Sequence, residues 1–572
     1  MKLKPRIVLK QFEDYEESYS LSGKVYLAME NNDLSEVVMT VMNNMRLLNL
    51  IPDMAPEQKC KSKSYKSRFA GNESKAAGRY TQALISYNEA LMYAPFESME
   101  MKKAYDNRSS LLFLLESYDA CVKDIDICLN LKYSRDTVEK LTNRKKDAKL
   151  MLRKERNSKS TFSENFFSVE PPRSVHIPCG CADIGVVTDS NGEVPKAVAI
   201  NDIKIGTVVA VETAFVSHIL PENTSFMCYH CLKVTPNLVP CLGCVRALFC
   251  SESCQTLSME QYHKIECKLD LRAVEDSDDF IAILKCVLKL RNIFGTWEEL
   301  IDASLKMGAE RIADIPTRLV YDENNPYAIL SFYKKRHFIY GTMFNGSIAC
   351  ATILHYLSQL DSFFPKDGVE NEAAMRAVAR IMMHLYMYGN STFMNSTVEV
   401  TTKKSTTSSF KTNVGIFSFI GKLNHSCNPN LVAVAIHNKM ALVAVQPIEK
   451  GTELTLCLVN HFRDGGCIGI QTRLSLLQIY GVVCDCIICN GDWQNNRDCK
   501  STGLQKIIDK LKLEDTLFDF DPLKVQETYA RACTGLRFLN DMPFSKEYAM
   551  VYAWFDECLM HLQTEANNNR LI

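Results

Sequence analysis

Eight residues of the types that bind zinc lie within forty residues, between Cys228 and Cys267. They form four close pairs: Cys228 with Cys231, Cys241 with Cys244, Cys250 with Cys254, and His263 with Cys267. Zn²⁺ prefers four thiolate or imidazole ligands at the corners of a tetrahedron, and a close pair fills two corners from one turn or helix. The pattern therefore predicts two structural zinc ions, whose binding should supply much of the folding free energy of so small a segment.

The spacing leaves the pairing of these ligands open, because interleaved and sequential arrangements are equally compatible with it. His230 lies between two of the ligands and is a competing imidazole. Since the pairs already fill both sites without it, we interpret His230 as an exposed side chain.

A second group of thiols follows later in the chain. Cys484, Cys486 and Cys489 offer three ligands within six residues, and a tetrahedral site needs a fourth from elsewhere. Cys427, in the string LNHSCNPN at 423–430, is the candidate and predicts a third zinc ion. The alternative is a cluster of free thiols, which would be a liability on a protein surface. Either interpretation brings residues 420–430 against residues 484–489.

Composition sets the limits on what else the chain does. At 572 residues, two to four domains are expected, and 47% hydrophobic with 23% charged residues is typical of globular proteins. A net charge of −1 provides no global field for nucleic acid or an anionic membrane. The first residues lack the apolar core of a signal peptide, and 23 cysteines with zinc ligation favour a reducing compartment, the cytoplasm or the nucleus.

The hydrophobic pattern changes character several times along the chain. Residues 60–156 are helical, and Gly71, Tyr80, Ala83 and Tyr87 match the helix–turn–helix pattern of a tetratricopeptide repeat (TPR), although a generic helical hairpin is the alternative. Residues 182–219 alternate short apolar runs with turns, including a turn at 189–192, and β character returns at 414–419 and 431–445. Residues 268–390 and 503–565 are helical, and 401–409 is predicted to be a flexible loop. One β domain split by insertions explains this order best.

These motifs resemble the SET–MYND family of protein-lysine methyltransferases, in particular the branch with an N-terminal tetratricopeptide region. The match is carried by AINDIKIGTVVAVETAFVS, the eight zinc-type residues, Asn395-Ser396, LNHSCNPN, GTEL and YGVVCDCIIC. The resemblance implies that the MYND ligands interleave. One ion would be held by Cys228, Cys231, Cys250 and Cys254, and the other by Cys241, Cys244, His263 and Cys267.

The resemblance also implies an activity, methyl transfer from S-adenosylmethionine to a lysine of a histone or non-histone protein. Asn395, Asn424 and His425 would bind the cofactor, and Tyr480 would be one of two active-site tyrosines. Asn424 and His425 have a structural alternative, because the family threads this strand through a knot-like crossing.

Three departures from the family pattern weaken the expectation of full activity. Leu458 occupies the position of the other tyrosine, and its side chain cannot donate or accept a hydrogen bond. Residues 193–196 (EVPK) stand where the family has a G-x-G, and proline removes an N–H donor there. Val482 replaces an aromatic residue that would pack on the adenine.

Two functions follow as hypotheses. The chain is either a methyltransferase with a degenerate active site, or a catalytically inactive zinc-stabilised scaffold for protein–protein interactions, for example in transcriptional regulation. Both predict protein partners at the MYND and TPR-like regions, no membrane association and no direct contact with nucleic acid.

The expected architecture is multidomain α+β. It comprises TPR-like α-hairpins, a split β-rich SET domain with an inserted MYND zinc finger and a helical insert, a Cys-rich post-SET zinc site and a helical tail. The predicted boundaries are 1–59 (N-terminal helical segment), 60–156 (TPR-like repeats), 157–175 (linker), 176–227 (first SET part), 228–267 (MYND), 268–390 (helical insert), 391–462 (SET core), 463–492 (post-SET) and 493–572 (C-terminal helices).

Overall fold

The computed structural model describes most of the chain. The described residues are 24–131 except 26, 30 and 32, then 135–155, 166–188, 195–274, 278–307, 320–332, 340–389, 391–402, 405–458, 484–486, 489, 502–513, 522–540 and 545–567. None of the helices in these ranges combines the length and apolarity needed to cross a bilayer.

The N-terminal region is helical, as predicted. Its helices are α1 (Leu34–Leu47), α2 (Lys61–Ala76), α3 (Tyr80–Tyr93), α4 (Met99–Leu114), α5 (Tyr118–Asn130) and α6 (Arg135–Glu155). Helices α2 to α6 pack each against the next in chain order. Arg108 of α4 makes two hydrogen bonds of 2.7 and 2.6 Å to Asp124 of α5, and both side chains are fully buried. Arg108 also donates to the carbonyl of Leu238. The Arg108–Asp124 pair therefore connects the N-terminal helices to residues 228–267, which we call the zinc-type segment.

Gly71 shows why small residues are needed between these helices. A Cβ atom added at Gly71 would lie 2.5 Å from Cε1 of Tyr87, which is closer than real Cβ contacts. Gly71 and Tyr87 belong to the repeat pattern read from the sequence, and here they allow α2 and α3 to approach each other.

We expect Gly71→Ala to lower the free energy of unfolding by about 1–3 kcal/mol, the usual cost of overpacking. Urea titration of the full chain would measure the effect. Gly368→Ala is the matched control, because nothing lies within 4 Å of a Cβ at that helical position. An equal loss of stability in the two variants would contradict this account of the α2–α3 contact.

The β strands form several small sheets rather than one large one. The strands are β1 (Ile184–Val187), β2 (Lys196–Ala199), β3 (Val208–Thr213), β4 (Val216–Ile219), β5 (Val239–Pro240), β6 (Leu248–Phe249), β7 (Ser391–Thr402), β8 (Ser405–Ile416), β9 (Asn424–His425), β10 (Leu431–Ile436), β11 (Lys439–Ala444) and β12 (Thr455–Leu456). The sheets are β1–β2, β10–β11–β3, β4–β8–β7, β12–β9 and β5–β6. Strands from before and after the insertions share two of these sheets, which agrees with one split β domain.

The predicted loop at 401–409 is wrong. Strands β7 and β8 pair antiparallel along their whole length, from Ser391 with Ile416 to Thr402 with Ser405. The run TTKKSTTSS is polar, but its threonines are β-branched, and such residues favour extended pairs.

Two helical groups interrupt the strands. The first lies in the zinc-type segment and consists of α7 (Glu252–Ser258), a π turn (Met259–His263) and α8 (Lys264–Glu266). The second is the insert, with α9 (Asp278–Ile293), α10 (Trp297–Leu305), α11 (Pro326–Leu330), α12 (Tyr340–Ser358) and α13 (Gly368–Tyr388). Helix α1 packs against α12 and α13, where Arg376 donates to Glu36 at 2.7 Å. Helix α1 therefore packs as part of the same helical group as the insert, although it is far from the insert in sequence.

The C-terminal region is helical, as predicted, and covers one face of the β10–β11–β3 sheet. Its helices are α14 (Thr502–Leu513), α15 (Pro522–Phe538) and α16 (Lys546–Asn567). They form a second hydrophobic core with Val434, Ala441 and Val443 of the sheet. Gln563 of α16 donates to the carbonyl of Ala435 at 2.7 Å, which anchors the helix along the strand.

Candidate functional site: three cysteine clusters and a strand crossing

The twelve residues predicted as zinc ligands fall into three groups of four. In each group the ligand atoms all lie within 4.8 Å of one another. The groups are Cys228, Cys231, Cys250 and Cys254; Cys241, Cys244, His263 and Cys267; and Cys427, Cys484, Cys486 and Cys489. The first two groups interleave along the chain, which is the pairing that the resemblance implied and that spacing left open.

The distances within the groups fit a tetrahedral ion. Zn–S bonds of about 2.3 Å place two sulfur ligands of one ion about 3.8 Å apart. The Sγ atoms of Cys231 and Cys250 are 3.6 Å apart, and those of Cys241 and Cys267 are 3.8 Å apart. In the third group, Cys427 Sγ lies 3.6 Å from Cys489 Sγ and 4.0 Å from Cys484 Sγ. The donor sets and their spacing therefore fit zinc.

His230 belongs to none of these groups. Its Nδ1 lies 3.0 Å from the hydroxyl of Tyr262, and the side chain is partly buried. His230 is thus no ligand candidate, as predicted, but the prediction of an exposed side chain is wrong because Tyr262 packs over it.

A buried carboxylate, Glu266, contacts the ligand histidine of the second group. This residue was not identified from the sequence. Glu266 Oε2 lies 2.9 Å from His263 Nδ1, and Glu266 Oε1 accepts a hydrogen bond of 2.7 Å from the Tyr229 hydroxyl. A carboxylate on the outer nitrogen of a ligand histidine fixes the ring and raises its basicity. The spacing of three residues between His263 and Glu266 on a helical turn is the signal that could have revealed it.

A buried lysine compensates the charge of this carboxylate. Lys285 of α9 is fully buried, donates to the carbonyl of Ser217 at 3.1 Å, and has Nζ 3.8 Å from the ring centroid of Tyr229. Burial lowers the pKa of Lys285 to about 8. Burial alone would raise the pKa of Glu266, but Lys285 and the bond to His263 hold it at about 2. Tyr229 therefore links the second group to the helical insert, because its hydroxyl donates to Glu266 and its ring contacts Lys285.

We expect Glu266→Gln to weaken zinc binding at the second group by about 10–100-fold, the usual effect of losing such a partner. Competition against a chromophoric chelator would measure it. Glu260→Gln is the control, because the Glu260 side chain is exposed and Asn292 bonds to its backbone carbonyl, which the substitution keeps. Unchanged affinity in Glu266→Gln would mean that the carboxylate only fills space.

The third group lies beside two short parallel strands, β9 and β12, whose junction we call the crossing. Strand β9 runs parallel to β12, with Asn424 opposite Thr455 and Leu456 opposite His425. Ser426 then donates from its N–H to the carbonyl of Leu456 at 2.9 Å. The amide of Asn430 donates to the carbonyl of Glu453 and accepts from the N–H of Thr455, at 2.8 and 2.9 Å. These bonds hold the 423–430 string against the 453–456 segment.

His425 joins the crossing to the third group. Its Nδ1 accepts a hydrogen bond of 3.0 Å from the N–H of Leu458, so the proton of the neutral ring is assigned to Nε2. Nε2 lies 3.3 Å from Cys427 Sγ and can donate to that sulfur. The imidazole therefore links a metal-type cysteine to the backbone of Leu458.

Asn424 is exposed beside the same crossing. Its amide donates to Glu453, whose other carboxylate oxygen lies 3.8 Å from Nζ of Lys196. Residues 196–199 and 451–454 are adjacent, since Ala199 donates to the carbonyl of Thr452 at 2.9 Å. The structure thus brings together the end of the EVPK stretch, the GTEL string and the NHSC string.

A buried acid fixes the chain just before the NHSC string. Glu212 accepts hydrogen bonds from the Ser418 hydroxyl and from the N–H groups of Phe419 and Ile420, at 2.7 to 2.8 Å. Burial raises the pKa of Glu212 to about 7. Position 212 lies on β3, so the sheet itself sets the position of the turn that leads into β9.

The other predicted site residues are less completely defined. Asn395 lies on β7, where its backbone is opposite Thr412. Tyr480, Val482, Glu193 and Val194 lie outside the described residues. Leu458 is described and is partly buried beside His425.

Comparison with known proteins places these features in a wider context. Residues 196–457 match the family model of the SET domain. Protein-lysine N-methyltransferase SMYD4 of Homo sapiens is 24% identical over 534 residues, covering 73% of this chain and 66% of that protein. The same protein of Danio rerio is 26% identical over 249 residues, covering 40% and 33%. Histone-lysine N-methyltransferase SMYD3 of Mus musculus is 37% identical over 76 residues, covering 13% and 17%. The matches to SMYD4 thus span from a third to just under two thirds of those proteins' length.

Proposed function

Because this chain belongs to the SET and MYND domain-containing family, we propose that it is a protein-lysine N-methyltransferase of reduced catalytic power. The observation that carries the proposal is the crossing of β9 and β12 beside the third cysteine group. It assembles the NHSC string, the GTEL string and the strand after the EVPK stretch at one place.

The donor sets support three zinc ions, held by the three groups of four residues. Zinc in these groups has a structural role, since each group supplies four protein ligands and leaves no open position. The third ion would fix Cys427 to the 484–489 segment, and with it the residues that follow Tyr480.

S-adenosylmethionine supplies the methyl group when it is bound. On the protein side, Asn424 fits a role in holding a polar ligand, because its side chain is exposed and has an amide at the crossing. Asn395 and the backbone of His425 are assigned to the same role by resemblance alone. The imidazole of His425 is a positioning group, because both ring nitrogens are directed to Leu458 and Cys427.

Tyr480 is proposed to orient the lysine amine and to stabilise charge at the transferred methyl group. A pair of hydroxyl groups would normally do this, and directed hydrogen bonds of this kind contribute strongly to catalysis. Leu458 takes the second position here and provides no hydroxyl. The enzyme is therefore expected to turn over slowly.

The absence of a hydroxyl at Leu458 also favours a second candidate function. In this alternative the SET domain is retained as architecture, and the zinc-type segment and N-terminal helices bind partner proteins. The alternative predicts that the chain binds its protein partners equally well with or without the cofactor.

Calorimetric titration of S-adenosylmethionine into the full-length, zinc-loaded chain distinguishes the two functions. The enzyme predicts saturable binding that Asn424→Ala weakens. Asn438→Ala, a change of the same type at the β10–β11 turn, is the control and should leave binding unchanged. No detectable heat at millimolar cofactor would rule out the enzyme and leave the scaffold.

A further inference from the structure

The helical insert contacts the EVPK stretch through one hydroxyl group. Tyr321, which lies just before α11, donates a hydrogen bond of 2.6 Å from its hydroxyl to the carbonyl of Pro195. The side chain of Tyr321 is buried. Pro195 belongs to the EVPK stretch, where the resemblance implies a G-x-G loop beside the cofactor. The bond therefore joins the insert to a part of the chain that departs from the family pattern.

This bond fixes the orientation of the peptide between Pro195 and Lys196. Proline has no N–H group, so its carbonyl is the only backbone group through which a hydrogen bond can hold it. The peptide is trans, and in a trans peptide the carbonyl and the following N–H point in opposite directions. Holding the Pro195 carbonyl therefore also directs the N–H of Lys196. The backbone that follows is already paired, because the N–H of Leu454 donates to the carbonyl of Ala197 at 2.9 Å.

The segment that carries this tyrosine is itself held at two points. The N–H of Thr213 on β3 donates to Glu323 at 3.2 Å. Lys422 donates from Nζ to the carbonyl of Ala328 in α11. Lys422 also donates to the carbonyl of Ser418 at 2.8 Å, in the turn that leads into the NHSC string. The insert is thus fixed both to the β3 sheet and to the chain that enters the crossing.

The ring of Tyr321 is packed as closely as its hydroxyl is bonded. It meets the ring of Phe419 edge to face, with centroids 5.7 Å apart and planes at 79°. Lys422 Nζ lies 5.9 Å from the centroid of Tyr321 and 4.5 Å from that of Phe332. These contacts restrict the side chain, so its hydroxyl is a preorganised donor toward Pro195.

We infer that Tyr321 is a positioning residue for S-adenosylmethionine, which acts by holding Pro195 in place before the cofactor binds. The inference rests on the proposed methyltransferase function. Glycines allow a loop to approach a ligand closely, and the EVPK stretch has none. Such a stretch loses less affinity when its backbone is already ordered, because ordering a loop on binding costs free energy. The hydroxyl of Tyr321 bonds to the stretch itself, so its effect should fall on cofactor affinity.

Tyr321→Phe tests this role because it removes the hydroxyl and keeps the ring. The net value of one hydrogen bond corresponds to about a three- to tenfold change in an equilibrium constant. Calorimetric titration of S-adenosylmethionine into the full-length, zinc-loaded variant should therefore give a dissociation constant about three- to tenfold higher than that of the parent chain, at the same stoichiometry. Loss of folded protein alone would lower the stoichiometry and leave the dissociation constant of the remaining protein unchanged.

Tyr356→Phe is the matched control. Tyr356 lies in α12 of the same insert, is buried, and donates from its hydroxyl to the carbonyl of Pro52 at 2.9 Å. The two variants lose the same kind of bond, so thermal melts should show a similar loss of stability in both. Only Tyr321→Phe should weaken cofactor binding. Equal dissociation constants in the two variants, with binding by the parent chain, would overturn the inference alone. No binding by the parent chain would overturn the proposed function, and the inference with it.

Discussion

Stripping the full-length chain with a strong chelator should abolish cooperative melting of residues 228–267 and destabilise the protein by many kcal/mol. Structural zinc provides about 10–16 kcal/mol of apparent binding free energy in small zinc-binding peptides, and folding depends on it. The effect should spread beyond residues 228–267, because Tyr229 links Glu266 of the second group to Lys285 of α9, and Arg108 ties the N-terminal helices to Leu238. Calorimetric melting with and without chelator would measure it.

Metal content provides the second measurement of this prediction. The intact chain should release about three zinc ions, since twelve ligands at four each form three sites. Cys427→Ser should release about two and keep the 228–267 segment stable. A melting curve that the chelator leaves unchanged would show that the cysteine groups are not structural zinc sites.

The zinc-type residues were the most predictable part of the molecule, but their pairing was not. Spacing identifies ligands because a close pair must share a turn or helix, and that requirement is local. Which pairs share an ion depends on how β5, β6 and α7 fold back on one another, and this is not visible in the spacing. Glu266 shows the same limit, since its role depends on Tyr229 and Lys285 in other parts of the chain.

Polar composition misled the prediction at 401–409. A run of serines, threonines and lysines reads as a loop when judged by polarity, whereas the pairing of β7 with β8 depends on the neighbouring strand. The packing of α1 on α12 and α13 was also invisible, because more than three hundred residues separate Glu36 from Arg376. In both cases a partner distant from the local pattern decides the structure.

The sequence left two roles open for His425, binding of the cofactor and a purely structural role. The contacts in the structure assign the side chain to the structural role. The side chain accepts from the N–H of Leu458 and can donate to Cys427, which is a structural role at the crossing. The backbone of His425 remains a proposal as a cofactor contact. The contact with Leu458 matters most, because it places the residue that we propose to occupy the tyrosine position directly against the crossing.

Leu458→Tyr is expected to raise the rate of methyl transfer by about a hundredfold. A single well-placed hydrogen-bond donor at a reacting centre is worth about 10²–10³ in rate, and this substitution adds a hydroxyl at the position where we propose that one is missing. The backbone N–H that binds His425 is retained, so the crossing should stay intact. Transfer of a tritiated methyl group from S-adenosylmethionine to core histones would measure the rate, with enzyme in excess.

Leu458→Phe adds the ring without the hydroxyl and should leave the rate near that of the parent chain. If the two variants are equally active, ring packing rather than the hydroxyl limits the reaction. If neither exceeds the parent while cofactor binding is intact, the missing hydroxyl at position 458 is not what limits the reaction.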